Sequence, residues 1–478
     1  MMNAVINDAL TESLTLHVEV CVDPSSPHSL HEVESQVKSY LKQEMVEYVA
    51  GAVQLPKSDP EMNQTNCVRN FIGTWCKSIV IVPFSALKEN RLKCSDFVVP
   101  AKYVRDFQVH AFILHEEDAV NVEMNIYENG SGDDEPTTAC EMTCLPHASL
   151  QGVWESIILE EETIKNNLLQ YASTAMLFAS RGVSTKLISW NRLILLHGPP
   201  GTGKTTLCRT LAHKLSIRLS HSFSDCLLLE INSHSLFSKW FSESGKLVHK
   251  LFSHIEDLCG DPKTLVCVLM DEIESLVAAR KTSLKNGEPS DAVRTVNAIL
   301  TALDRLGRRY RNVLFLTTTN MTLSDSGSST SALDEAFIDR VDIKQFIGLP
   351  PQQARYEILR SCLLELIRAG VIIASQAQNI SSQNVLTHHS DIILFSYLQL
   401  LNTDANQFDH EAFKWSRKLE ECAAEASGFS GRSLRKLPFQ THAHFVLDEG
   451  TQINIDLFLK FLKAEILRER QARTDMNS

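Results

Sequence analysis

Eight residues constrain this chain more than any others: Gly198-Pro199-Pro200-Gly201-Thr202-Gly203-Lys204-Thr205. They fit G-x-x-x-x-G-K-[ST] and stand between an apolar run at 193–196 and a segment, 206–215, patterned to continue as a helix. Strand, glycine-rich turn and helix in that order is the setting this motif requires. Gly201 and Gly203 carry no side chain, so backbone N–H groups can close around a phosphate. The start of the helix adds partial positive charge at the same point. In such a loop Lys204 reaches the β- and γ-phosphates of a nucleotide, and the Thr205 hydroxyl ligates Mg²⁺.

Two further apolar runs end in polar tips. The first, 265–270, closes on Asp271-Glu272. Beside a phosphate loop, Asp271 is expected to hold the Mg²⁺ shell and Glu272 to polarise the attacking water, because in-line phosphoryl transfer needs a positioned nucleophile. The second, 313–319, ends at Asn320, placed to orient that water or to touch the γ-phosphate. The runs 192–197, 227–231, 265–270 and 313–318 alternate with amphipathic segments, which predicts a parallel sheet covered on both faces. Past Pro350-Pro351 the pattern turns helical, at 355–368, 392–401, 413–424, 433–446 and 455–470, and no further strand is expected.

Upstream the pattern differs. Leu14, Leu16, Val18, Val20 and Val22 alternate with more polar residues, the period of a half-buried strand. Val33, Val37, Tyr40, Leu41, Met45 and Tyr48 then form a helical stripe, and strand-like runs follow at 78–84 and 107–114. A small α+β domain is predicted. Glu116, Glu117, Asp118, Asp133, Asp134 and Glu135, around Gly130-Ser131-Gly132, read as an acidic flexible linker. The division expected is therefore 1–115 for the N-terminal domain, 116–148 for the linker, 149–349 for the α/β domain and 350–478 for a helical lid.

Composition narrows the function classes. With 44% hydrophobic and 22% charged residues the chain is globular, and 478 residues can bury sizeable cores unaided. A net charge of −12 opposes bulk binding to a phosphate backbone, so direct nucleic-acid contact is not expected. No window approaches the ~18 apolar residues of a membrane span. The first residues lack an apolar leader and the 12 cysteines are scattered, which predicts an intracellular chain with free thiols.

The strand-tip set with a helical lid resembles the AAA+ ATPases. Gly428-Phe-Ser-Gly-Arg432 is similar to their lid sensor segment, and Arg340, in Leu333-Asp-Glu-Ala-Phe-Ile-Asp-Arg-Val-Asp342, stands where that family places a subunit-bridging arginine. Many relatives carry two arginines there and lack one at the position of Arg432. The run from Ile231 to Lys246, with Glu288-Pro-Ser-Asp291, Ile343-Lys-Gln-Phe-Ile-Gly348 and Gly431-Arg-Ser-Leu-Arg-Lys-Leu-Pro-Phe439, resembles the pachytene checkpoint, or thyroid receptor-interacting, ATPases. The resemblance runs from about Trp154 to the end of the sequence. It implies a P-loop AAA+ parallel-sheet domain with a helical C-terminal lid, ATP and Mg²⁺ as ligands, and a homohexamer. It further implies a remodeller that returns closed HORMA-domain proteins to their open form, with the N-terminal domain selecting the substrate directly or through an adaptor. The expected setting is meiotic chromosome pairing or the spindle checkpoint, in the nucleus on chromosomes and also in the cytoplasm. Glu272, Asn320, Arg340 and Arg432 are the catalytic candidates. Lys239, Trp240 and Phe241 are either a core anchor or a grip on an extended peptide in the central hole, and the family favours the grip; a second such loop is expected at 281–289. Two other readings stay open: a DNA-acting AAA+ motor, and an axis component whose assembly ATP gates.

Overall fold

The computed structural model describes residues 14–45, 47–49, 51–56, 67–82, 98–100, 104–124, 137–184, 187–231, 244–274, 291–321, 335–373, 394–402, 411–445 and 452–477. The N-terminal unit opens with β1 (Leu14–Val22) and α1 (Leu30–Glu44), then β2 (Glu47–Val49), β3 (Gly51–Val53), α2 (Cys67–Trp75), β4 (Cys76–Ile81), β5 (Val98–Pro100) and β6 (Val104–Phe112). The Ser29 hydroxyl accepts from the Glu32 N–H at 3.2 Å, so a Ser-x-x-Glu start fixes the first turn of α1. Four strands pair in the order β3-β4-β1-β6, with β6 parallel to β1 and the others antiparallel. Leu16, Val18, Val20 and Val22 face Val33, Val37 and Leu41 of α1, so the alternation read in β1 is the packed face of this sheet.

The second unit contains β7 (Val120–Met124), β8 (Thr137–Leu145), α3 (Val153–Ser156), α4 (Glu162–Ser180), β9 (Leu193–His197), α5 (Lys204–Arg218), β10 (Asp225–Ile231), α6 (Ser244–Cys259), β11 (Thr264–Met270), α7 (Asp291–Arg309), β12 (Val313–Thr319), α8 (Glu335–Ile338) and β13 (Ile343–Phe346). Its sheet runs β13-β9-β12-β11-β10-β8-β7, parallel through the first five strands. Buried residues of β9 alternate between the two faces. Leu193 and Leu195 join Leu251 of α6 and Leu303 of α7, whereas Ile194 and Leu196 join Leu168 of α4 and Leu211 of α5. A strand buried on both sides carries apolar residues on both faces, which is why Leu193 to Leu196 have no polar residue between them.

Residues 116–124 and 137–148 differ from their reading as part of a flexible linker, while 125–136, with Gly130-Ser131-Gly132 and Asp133, Asp134 and Glu135, lie outside the described residues. β8 pairs antiparallel with β10, from Cys226 opposite Leu145 to Ile231 opposite Cys140, and β7 pairs with β8. Ala139, Cys140 and Leu145 are buried while Glu141 and Cys144 are exposed. Each face of β8 thus carries both a buried and an exposed residue, so its composition resembles a loop. His115 donates to the Pro146 carbonyl at 2.8 Å and accepts from the Ala148 N–H at 2.9 Å, so the chain is already tied to the second unit there.

The third unit contains α9 (Gln352–Arg368), β14 (Ile372–Ile373), α10 (Tyr397–Asn402), α11 (Glu411–Glu425), α12 (Gly431–Phe445), β15 (Ile453–Asn454) and α13 (Ile455–Asn477). Tyr356, Leu359, Trp415, Leu434 and Phe458 centre its core. The short parallel pair β14-β15 corrects the expectation that strands end at residue 350.

The N-terminal unit sits on α5, the helix that follows the glycine-rich loop. Lys214 donates to Glu19 at 2.6 Å and lies 2.9 Å from Glu155. Arg218 lies 3.6 Å from Glu19, and His221 lies 3.5 Å from Glu34. Burial disfavours the Lys214 ammonium, but Glu19 and Glu155 outweigh it and raise its pKa. Cys21 and Phe112 pack on Ile217 beside these charges.

Candidate active site

The loop between β9 and α5 takes shapes that only glycine adopts freely. Gly201 and Gly203 have φ values of 75° and 94°. A Cβ on Gly198 would meet the Ile347 carbonyl at 2.3 Å, and one on Gly201 would meet the Ser430 hydroxyl at 2.7 Å. The second contact joins the loop to the lid, as does the hydrogen bond from the Arg432 N–H to the Gly201 carbonyl at 3.1 Å. The Thr202 hydroxyl bonds the Pro199 carbonyl at 3.0 Å and braces the turn.

Lys204 is 5% exposed, and its ammonium donates to the carbonyls of Gly198 and Pro199, each at 2.8 Å, and to Asn320 Oδ1 at 2.9 Å. Burial lowers its pKa, as does nearby Arg432, against the pull of Glu274, Asp271 and Glu272. The Thr205 hydroxyl donates to Asp271 Oδ1 at 2.8 Å, and Thr318 donates to the same oxygen. Loop, second strand and third strand therefore converge on one point, as the three sequence motifs require. A hydroxyl and a carboxylate in contact there form the hard oxygen pair that suits Mg²⁺.

Glu272 follows with φ of 54°, a conformation costly for a residue with a side chain. Its N–H bonds the Thr318 hydroxyl at 3.3 Å, and the Ile273 N–H bonds the Thr318 carbonyl at 3.0 Å. This turn returns Glu274 over the end of β12. There Glu274 Oε1 accepts from both the N–H of Asn320, at 3.1 Å, and its side-chain amide, at 2.8 Å. Sequence reasoning missed Glu274; its only signal was a third carboxylate, two positions after Glu272. It also missed a cleft of about 60 Å³ where Ile158, Thr202, Ile347, Ile358 and Gly431 meet, between loop and lid.

Arg340 lies elsewhere. Its guanidinium holds Asp304 of α7 through two bonds of 2.8 Å, and Asn191 Nδ2 donates to its carbonyl at 2.9 Å. Asn191 precedes β9 and Gly198 follows it, so the strand separates them by a rise of roughly 16 Å over its five residues. Arg340 is thus out of reach of its own loop. Lys239, Trp240, Phe241 and the 281–289 loop lie outside the described residues.

Comparison with known proteins accords with this geometry. The model of the ATPase family associated with various cellular activities (AAA) matches residues 194–349, and that of the TRIP13-like AAA+ ATPase lid C-terminal domain matches residues 351–470. The pachytene checkpoint protein 2 homolog of Arabidopsis thaliana is 42% identical over 430 residues, 89% of this chain and 82% of that protein. The Mus musculus homolog is 36% identical over 98% of this chain and 96% of its own. The solved structure of C. elegans PCH-2 superposes with a TM-score of 0.65 at 29% identity, covering 96% of this chain and 99% of that one. With its nucleotide loop, strand tips and lid in place and relatives matched along nearly its whole length, the chain belongs to the pachytene checkpoint protein 2, or TRIP13-like, family of AAA+ ATPases.

Proposed function

We propose that this ATPase works as a homohexameric remodeller that uses ATP hydrolysis to return closed HORMA-domain proteins to the open form. The observation that carries the reading is the seat of the N-terminal unit on α5, whose first residues are Lys204 and Thr205. Substrate held by that unit, directly or through an adaptor, is one helix away from the phosphates.

In this reading the backbone from Gly198 to Gly203 wraps the phosphates, and Lys204 leaves its carbonyl partners to meet the β- and γ-oxygens. The adenine enters the cleft between Ile158, Ile347 and Ile358. Thr205 and Asp271 would hold a Mg²⁺ ion, which supplies charge neutralisation on the β- and γ-phosphates. Glu272 polarises the attacking water and Asn320 orients it. Arg432, carried on the lid, answers to the γ-phosphate within its own subunit, while Arg340 reaches the neighbour's site. Lys239, Trp240 and Phe241 grip the substrate's chain in the central hole, where a flat aromatic holds peptide of any sequence. On this reading the work belongs to meiotic chromosome pairing and checkpoint control, in the nucleus.

The test is steady-state ATPase activity with and without a purified closed HORMA–partner complex, with release of the partner followed in parallel. Stimulated turnover and ATP-dependent release are expected. Stimulation by DNA in place of the complex would overturn the reading.

A further inference from the structure

Asn320 makes three side-chain and backbone bonds, and together they settle which way its amide points. Its N–H and Nδ2 both donate to Glu274 Oε1, and its Oδ1 accepts from the Lys204 ammonium. Turning the amide over would place its oxygen against a carboxylate and its NH₂ against an ammonium, two repulsive contacts in place of two charge-assisted bonds. The donor side is therefore committed to Glu274, and what faces the phosphate loop is a carbonyl oxygen, which accepts and cannot donate.

We propose that Glu274 is a positioning residue for hydrolysis: by binding the amide N–H groups of Asn320 it presents the Asn320 oxygen to the attacking water. An acceptor at this place can take one water proton while Glu272 takes the other, which points the oxygen lone pair along the line of attack. It cannot donate to a γ-phosphate oxygen. The role of Asn320 is thereby narrowed to the nucleophile.

One observation separates this arrangement from ordinary packing. Among the described residues Glu274 Oε2 is buried without a hydrogen-bond partner, while Oε1 takes both bonds. A carboxylate oxygen buried without a partner costs stability, a cost that packing alone does not offset. The turn at Glu272 aims the polarising carboxylate and the positioning carboxylate at the two ends of one short segment.

The inference rests on the assignment of this site to ATP hydrolysis, and the test keeps the two apart. Full-length Glu274→Ala, Glu274→Gln, Asn320→Ala and the double Ala variant would be compared for kcat, KM and binding of a fluorescent ATP analogue. Misplacement of a reacting group can cost about 10²-fold, and a loss of that order in kcat, with KM and analogue binding within about threefold, is expected for Glu274→Ala. Gln keeps an oxygen that accepts from Asn320, so Glu274→Gln should recover most of the loss. Because Glu274 acts through Asn320, the double variant should be no slower than Asn320→Ala alone. Full turnover in Glu274→Ala, further loss in the double variant, or failure of both Glu274 variants to bind the analogue would overturn the proposal. Full turnover in Asn320→Ala would instead overturn the site assignment itself.

Discussion

At the scale of single residues, the site divides chemistry from parking. Asp271 is held by Thr205 and Thr318, whereas Arg340 rests on Asp304, with both side chains about 30% exposed. A pair that open contributes at most about 1 kcal/mol. An arginine supplied to a neighbour's phosphoryl transfer contributes roughly 10³–10⁵ in rate, or about 4–7 kcal/mol, so releasing Asp304 is easily offset in a ring. Arg340→Ala rings should bind ATP and fail to hydrolyse it. Mixed with Lys204→Ala subunits, which retain Arg340, they should regain measurable turnover; a dead mixture in which mixed rings form by native mass spectrometry would exclude the trans role. Glu272→Gln leaves Lys204, Thr205 and Asp271 in place. It should bind ATP normally while turnover falls by about 10²-fold or more, the usual scale for loss of a positioned base; a single-turnover assay measures this directly.

At the scale of elements, legibility followed burial. The strands β9 to β12 each carry a central apolar run because the sheet is covered on both faces, and each run is visible in the sequence. β8 was hidden because exposed Glu141 and Cys144 interrupt its apolar residues, and β13 by its length of four residues with Lys344 and Gln345 at its centre. The phosphate loop was readable because its geometry is local: two glycines at positive φ and a lysine at the helix start. Glu274 was not, since its part depends on the left-handed turn at Glu272. Nor was the lid contact, in which Ser430 meets Gly201 across more than 200 positions. The strand pairing makes a prediction about truncation. Removal of residues 1–138 deletes β7 and cuts into β8, exposing the flank of β10; removal of 1–115 keeps both. The shorter deletion should give a folded, nucleotide-binding chain, and the longer one should melt lower or aggregate, as thermal unfolding with and without ATP will show.

At the scale of the whole molecule, the contact between the N-terminal unit and α5 is built from buried charge. Glu19 and Lys214 are 4% and 7% exposed. Removing one partner of such a pair costs about 3–5 kcal/mol, because the other charge stays buried. Glu19→Gln should therefore lower the unfolding midpoint and expose the connection near residue 115 to protease, whereas surface substitutions in the same unit should not. The interface also carries a pH dependence. His17 Nδ1 and His110 Nε2 lie 3.1 Å apart, with Arg218 and His221 beside them and Glu19 and Glu34 on the flanks. Burial, then Arg218, lowers the His17 pKa to about 4; burial, then Arg218, His17 and His221, lowers that of His110 to about 3. Both are below the ordinary value near 6.5, so the folded state prefers neutral rings. Their contribution is complete above about pH 6.5 and is lost as pH falls toward 4. Denaturant midpoints measured from pH 7 to pH 4.5 should fall, and the fall should be shallower in His17→Asn/His110→Asn.

The helix α5 has its first residues in the nucleotide loop and its eleventh, Lys214, under the N-terminal unit. At 1.5 Å per residue its 15 residues make a strut of about 22 Å. A strut pinned at one end magnifies rotation into travel: a tilt of 5° at the phosphates would carry its far end by roughly 2 Å. That is comparable to the length of a salt bridge, and Glu19 and Glu155 grip Lys214 from the two sides of that far end. One rigid element of the chain thus spans the distance from the nucleotide loop to the N-terminal unit.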